Sequence, residues 1–318
     1  MATSPANGVK RSQVFFIATS ISLIEISLLS TLSFLTAVTS IDRNFVVFLL
    51  FALLSGVIGG RGATRVFKVR EFTASEIFQI IATNFAVVVL LCSSIYLSLG
   101  VCGTFDSALL EAVSGLTTTS LTNLVPESLG ESVLLFRSLT QWLGGVGALM
   151  LVFVALPAAG RTEEFDVAFA KSFTDRTVAK TLVRLTRLYA LLTVIVFVAF
   201  AIAGMSIFES LCHSLSAVSS GGFSTRSASI AGFESSTIEW VVATVMFFTG
   251  MNIVVIWWIW KQKFALILRN SELRLYMLLL VAAIISFGVW TRDIGAFGDV
   301  VRDGYFLASS LLSTTGFT

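Results

Sequence analysis

Charge is what this chain has least of. Asp, Glu, Lys and Arg make up 13% of its 318 residues, against 56% hydrophobic, where a soluble domain carries roughly a quarter charged residues. A deficit of that size excludes an ordinary soluble fold and points to a lipid-embedded one. The net charge of +2 says little, and the placement of the charges says more. Histidine is nearly absent: His213 is the only one, which excludes metal catalysis built on histidine clusters. The three cysteines, Cys92, Cys102 and Cys212, have no metal spacing, and their odd number argues against a disulfide framework. They read as small apolar residues. No acid, base or nucleophile constellation emerges, so an integral-membrane enzyme is the weakest class. The chain reads as a non-enzyme with no covalent cofactor and no nucleic-acid partner.

What is abundant is apolar sequence in long runs. Spans of roughly 20 residues suit the hydrocarbon core of a bilayer, and seven candidates stand at about 14–38, 44–60, 75–99, 133–157, 186–206, 237–260 and 273–291. The polar stretch 1–13 lacks a small-residue cleavage pattern, and the run after it is longer than a signal-peptide core, so it reads as a retained first helix. Sixteen of the 21 basic residues, among them Lys10, Arg61, Lys68, Arg161, Lys171, Lys261 and Arg274, fall in 1–13, 61–74, 158–187 and 261–274. The positive-inside rule makes that side cytoplasmic, the N-terminus included. Three half-length apolar runs, 105–121, 208–223 and 302–317, are too short to span and then all enter from the outside.

Each of these short runs ends in a related sequence: Ser114-Gly-Leu-Thr-Thr-Thr-Ser-Leu121, Ser216-Ala-Val-Ser-Ser-Gly-Gly-Phe223 and Ser310-Leu-Leu-Ser-Thr-Thr-Gly-Phe317. Gly222 and Gly316 hold equivalent places, and Ser120 holds that place in the first copy. Irregular backbone at membrane depth is tolerated only where it is buried in protein or lines a water-filled path. Potassium filters replace an ion's hydration shell with backbone carbonyls. Glycine suits such loops by its backbone freedom, and Ser and Thr hydroxyls can tie down neighbouring groups or add oxygen ligands. Short helices ending at the loops would turn their negative C-terminal ends towards a cation. Three copies of such a loop at matching places are candidates to line an ion path.

The fold expected is all-α and integral to the membrane: an N-terminal helix pair, then two complete helix–pore-loop–helix units and part of a third. The boundaries are 1–74 for the pair and its cytoplasmic loop, 75–157 for repeat one, 158–260 for a cytoplasmic loop and repeat two, and 261–318 for the partial repeat three.

Five stretches carry a family resemblance: Ser114-Gly-Leu-Thr-Thr-Thr119, Arg137-Ser-Leu-Thr-Gln-Trp-Leu-Gly-Gly-Val-Gly147, Leu211 to Thr225, Ile238-Glu-Trp240 and Ser313-Thr-Thr-Gly-Phe-Thr318. Through them the chain resembles the Trk/Ktr/HKT superfamily of cation transporters, and within it the TrkH family of bacterial potassium uptake. The resemblance implies four pore-loop repeats around a central path, potassium (or sodium) as the transported ion, a homodimer in the bacterial inner membrane, and a cytosolic nucleotide-binding regulator subunit (TrkA-like). By the same resemblance the ion ligands are Thr118, Thr119 and Ser120, then Ser220, Gly221 and Gly222, then Thr314, Thr315 and Gly316. Two departures stand out. Ser120 replaces the family's glycine, which predicts weaker potassium selectivity and sodium permeation. The chain also stops at Thr318, which predicts an incomplete ring. A truncated, non-transporting membrane protein or a scaffold pairing with complete transporters is the alternative reading.

Other residues have two readings each. Glu25, inside the first span, is either a hydrogen-bonded packing residue or an ion-handling group. Asp106 and Glu209 either cap the short helices or attract cations to the outer mouth. Arg137 and Gln141, one helical turn apart, read as braces behind a filter loop. Gly144, Gly145 and Gly147 read as close helix packing rather than a nucleotide loop, because no strand precedes them. His213 reads as a packed residue rather than a ligand. The basic loop 158–187 is a topology signal or a docking site for the regulator.

Overall fold

The computed structural model describes residues 11–66, 74–151, 178–251, 253–291 and 296–318. All secondary structure among them is helical: α1 (Arg11–Thr39), α2 (Phe45–Val66), α3 (Ala74–Ser98), α4 (Phe105–Leu116), α5 (Glu131–Met150), α6 (Val178–Ala203), α7 (Ile207–Val218), α8 (Ser236–Thr249), α9 (Ile253–Trp260), α10 (Phe264–Arg269), α11 (Ser271–Thr291) and α12 (Phe297–Leu312). Five helical stretches are long and apolar enough to cross a membrane, at 11–39, 45–62, 75–98, 186–203 and 271–291. Lys10, Lys68, Arg70, Arg161, Lys171 and Arg176 lie outside the described residues, and with them most of the basic loop read as a docking candidate.

The chain forms two compact units, one of residues 1–113, 130–136 and 147–185, the other of 114–129, 137–146 and 186–318. In the first, α1 packs on α2 and α3. Its buried face is rich in small residues, with Ala18, Ser22, Ser30, Ser33 and Ala37 among them. Gly56, Gly59 and Gly62 recur every third residue of α2, and a methyl group on Gly59 would come within 2.9 Å of Leu23 Cβ. Small residues let helix backbones approach in lipid, where no hydrophobic force drives helices together. Ser22 donates to Asn84 Oδ1 at 2.6 Å, and Asn84 Nδ2 donates to Glu25 at 3.1 Å, which ties α1 to α3. The packing reading of Glu25 thus has a partner. Phe48, Tyr96 and Phe136, all fully buried, cluster with ring centroids 5.4–5.5 Å apart.

Of two expected spans, one is interrupted in the structure and the other is described only in part. The stretch 237–260 is not one helix: α8 ends at Thr249 and α9 begins at Ile253. Hydropathy cannot detect this break, because the residues on both sides are apolar. Gly250 closes α8 with a bond to Met246 O at 2.9 Å, and the next amide, of Met251, reaches back only to Phe248 O. Phe247 O, released from the helical ladder, accepts instead from Tyr276 Oη of α11 at 3.1 Å. A side chain drawing a carbonyl out of the ladder is a recognised cause of helix interruption. The other case is 133–157, where α5 covers Glu131–Met150 and carries the buried polar residues Arg137 and Gln141. Residues 152–157 of that span lie outside the described part.

Candidate functional site

The nine expected ion-site residues all belong to the second unit. Three short helices precede them, α4, α7 and α12, and all three stop in the same way. Thr118 N bonds to Gly115 O at 3.1 Å and Thr119 N to Ser114 O at 2.9 Å; Ser220 N bonds to Ala217 O at 3.1 Å and Gly221 N to Ser216 O at 2.8 Å; Thr314 N bonds to Leu311 O at 3.2 Å and Thr315 N to Ser310 O at 3.1 Å. This paired closure is the Schellman motif, which needs a left-handed residue just past the cap. That residue is Thr118 (φ 53°), Ser220 (φ 52°) and Thr314 (φ 58°) in turn. Two residues on, the backbone is again left-handed, at Ser120 (φ 70°), Gly222 (φ 80°) and Gly316 (φ 78°). The sequence repeat is thus a backbone repeat, angle for angle.

The loops also meet. A methyl group on Gly222 would collide with the Thr315 carbonyl oxygen and come within 2.7 Å of Ser120 Oγ. Residues from all three loops therefore crowd one point, and the negative C-terminal ends of three helices lie just behind it. Glycine is required at 222 twice over, by its φ and by this contact. At Ser120 a side chain is held in the left-handed region at a cost of about 1–2 kcal/mol.

Helix α5 supplies the scaffold through residues on one face, spaced three or four apart. Gly144 lies so close to Leu116 O, at the end of α4, that a methyl group would overlap it. Gly145 does the same for the end of α7, where a methyl group would lie 2.9 Å from Ser219 Cβ. A methyl group on Gly147 would meet nothing within 4 Å among the described residues, so close packing is seen at two of the three glycines. Gln141, fully buried, donates from Nε2 to Gly221 O at 2.8 Å and accepts at Oε1 from Ser216 Oγ at 2.7 Å and Phe223 N at 3.1 Å. Arg137, 1% exposed, donates to Thr122 Oγ1 at 3.1 Å and lays its guanidinium 4.2 Å from the Phe223 ring centroid. Gln141 thus braces the back of loop two, while Arg137 links Phe223, after loop two, to Thr122, after loop one. One detail shifts among the expected ligands: the Gly221 carbonyl is already held by Gln141.

Loop three is fastened from its far side. Ser310 Oγ donates to Phe317 O at 2.7 Å, and Thr318 O accepts from Ile230 N at 2.8 Å and Ala231 N at 3.1 Å. His213 packs against two aromatic rings, with ring centroids 5.9 Å from Phe317 and 5.3 Å from Phe233. Its Nδ1 lies 2.8 Å from Glu209 O, which can only accept, so Nδ1 carries the proton. Nε2 is then free to accept from Ser224 Oγ at 3.0 Å. That is a packed histidine with both ring nitrogens in hydrogen-bond contact with the protein.

The helix starts carry the acids. Ser206 and Glu209 form a capping box on α7. Arg226 also grips Glu209 at 2.7 Å, with its guanidinium over the Phe233 ring. Burial pushes the Glu209 carboxyl up, but the bonds from Arg226 and Ser206 outweigh it and hold the group below the ordinary range. Asp106 lies in the first turn of α4, fully exposed, and its bond with Thr104 lowers it. Glu209 is thereby committed to capping, while Asp106 keeps both readings. Two further links join distant positions. Ser227 N donates to Glu127 Oε1 at 2.6 Å. Arg302, in the second turn of α12, pairs with Glu239 of α8 at 2.7 Å. Glu239 lies in the Ile238-Glu-Trp240 stretch, whose motif marks it without showing its partner.

The family described as TrkH, cation transport protein, matches residues 43–274. The Trk system potassium uptake protein TrkG of Escherichia coli (strain K12) is 33% identical over 224 residues, covering 67% of this chain and 46% of that protein. TrkH of Halomonas elongata is 33% identical over 222 residues, covering 66% and 46%. The chain spans about half the length of the curated relatives it matches. The crystal structure of the potassium transporter TrkH from Vibrio parahaemolyticus superposes with a TM-score of 0.76 at 23% identity, over 96% of this chain and 65% of that one, so the fold is shared. With a match over well more than half its length, this multi-pass, all-helical membrane chain belongs to the TrkH family of cation transport proteins.

Proposed function

We propose that the three loops line the path of a monovalent cation, with potassium as the ion taken up. The observation that carries this reading is the convergence at Gly222, where Thr315 O and Ser120 Oγ press on the second loop. Three matching left-handed turns brought to one point offer carbonyl and hydroxyl oxygens in place of an ion's water shell. The relatives TrkG and TrkH are named as potassium uptake proteins, which supports the same ion here. The residues assigned to the path are Thr118, Thr119, Ser120, Ser220, Gly221, Gly222, Thr314, Thr315 and Gly316. Gly221 contributes through its backbone position rather than as a free carbonyl, because Gln141 holds that oxygen.

Ser120 puts a hydroxymethyl group where the loops meet. We assign to it a weakened preference for potassium and measurable sodium permeation. By family likeness the protein acts as a homodimer in the bacterial inner membrane, N-terminus in the cytoplasm, with a cytosolic nucleotide-binding regulator. The test is cation flux in proteoliposomes holding the protein as its gene encodes it, with reversal potentials read in mixed potassium and sodium. Flux of both ions with potassium favoured is the expected result. Absence of cation flux overturns the pore, and strict potassium selectivity overturns the role given to Ser120.

A further inference from the structure

Loops one and three close their turns with a hydroxyl pair. Thr117 Oγ1 lies 2.7 Å from Thr119 Oγ1, and Ser313 Oγ lies 2.7 Å from Thr315 Oγ1. In each, the residue before the left-handed position is tied to the residue after it. Loop two has the first of these partners, Ser219, but its second is Gly221, which has no side chain. The place of that side chain is filled from elsewhere in the chain: a methyl group on Gly221 would land on the side-chain amide of Gln141.

We propose that Gln141 is a positioning residue that supplies from α5 the tie that Thr119 and Thr315 supply within their own loops, so that Gln141 and Gly221 form one exchangeable unit. The amide does more than fill space. Its Nε2 holds Gly221 O at 2.8 Å, and its Oε1 holds Phe223 N at 3.1 Å. A peptide group is planar and almost always trans, so fixing the Gly221 oxygen also fixes the N–H of Gly222 on the opposite side. The plane that carries the chain into the crowded point is thereby set. Without the tie, a Gly-Gly peptide has little else to stop it turning over. The third loop shows what would replace the remaining contacts, because Ser310 there donates to Phe317 O, and the equivalent pair in loop two is Ser216 and Phe223.

The proposal rests on the ion-path reading only for its transport readout. The test compares the unsubstituted protein with Gln141→Ala, Gly221→Thr and the double variant. Melting midpoints are measured in detergent, and potassium-to-sodium permeability ratios in proteoliposomes. Gly221→Thr alone meets the amide, and Gln141→Ala alone leaves the Gly221 carbonyl unheld, so each lowers both quantities, the permeability ratio by about tenfold. The double variant, with room for the introduced threonine hydroxyl to reach Ser219, recovers most of both losses. Additive losses in the double variant, or single variants with no effect, overturn the proposal. Coupling in the melting midpoints from a protein that passes no cation overturns the ion path and leaves the role of Gln141 standing.

Discussion

Loop one and loop two share their backbone angles and almost nothing else. Loop two is buried from Cys212 to Ser219 and again from Gly221 to Phe223, with Gln141 holding it from behind and Arg137 against the Phe223 ring. Loop one leaves Thr117 and Thr119 exposed, and its Ser114 hydroxyl is buried without a hydrogen-bond partner among the described residues. Ser216, in the equivalent place of loop two, donates to Gln141. Where neighbours crowd the chain, as at Gly222, only glycine fits. At Ser120 the same left-handed region is occupied by a serine. A repeat can therefore keep its geometry while the means of holding it drift apart.

The comparison breaks most sharply at its most crowded position. Gly222→Ala adds a left-handed penalty of about 1–2 kcal/mol and an overlap with the Thr315 carbonyl costing about 1–3 kcal/mol. Loss of cation flux and a clearly lower melting midpoint are expected. Flux that survives this substitution would show that the three loops do not meet in the working protein. A smaller effect separates the two equivalent serines. Ser216→Ala removes a hydrogen bond of about 1 kcal/mol, whereas Ser114→Ala removes a hydroxyl with no hydrogen bond among the described residues and is expected to be neutral or slightly stabilising. Equal effects in thermal denaturation would contradict the asymmetry. Smallest in stability is Ser120→Gly, where relief of the left-handed angle is partly offset by the greater freedom of glycine in the unfolded chain, leaving about 0.5 kcal/mol of gain. Its expected signature lies in selectivity: the potassium-to-sodium ratio should rise, and an unchanged ratio would remove Ser120 from the path.

Much of this arrangement is legible in the amino-acid sequence. The half-length runs ending in Ser114-Gly-Leu, Ser216-Ala-Val and Ser310-Leu-Leu can be aligned because hydropathy and residue type repeat together. The left-handed turns at Thr118, Ser220 and Thr314 are not legible, since none is glycine and the angle is imposed by the helix closure. The partners of Gln141 are out of reach because they lie 75 to 82 residues away. Spacing places Gln141 beside Arg137 on α5, but does not choose which loop it faces. The interruption after Thr249 escapes a hydropathy reading because its cause, the Tyr276 hydroxyl, belongs to another helix.

The fastening of Thr318 to Ile230 and Ala231 also bears on how the protein is made. The backbone amides that grip Thr318 O are synthesised nearly ninety residues before it, since Ser229 and Thr318 are 89 positions apart. Gln141 likewise leaves the ribosome 80 residues ahead of Gly221. Both loops therefore close on residues made about 80 to 90 positions earlier, so neither fastening is a local contact and each waits for its later partner to be synthesised.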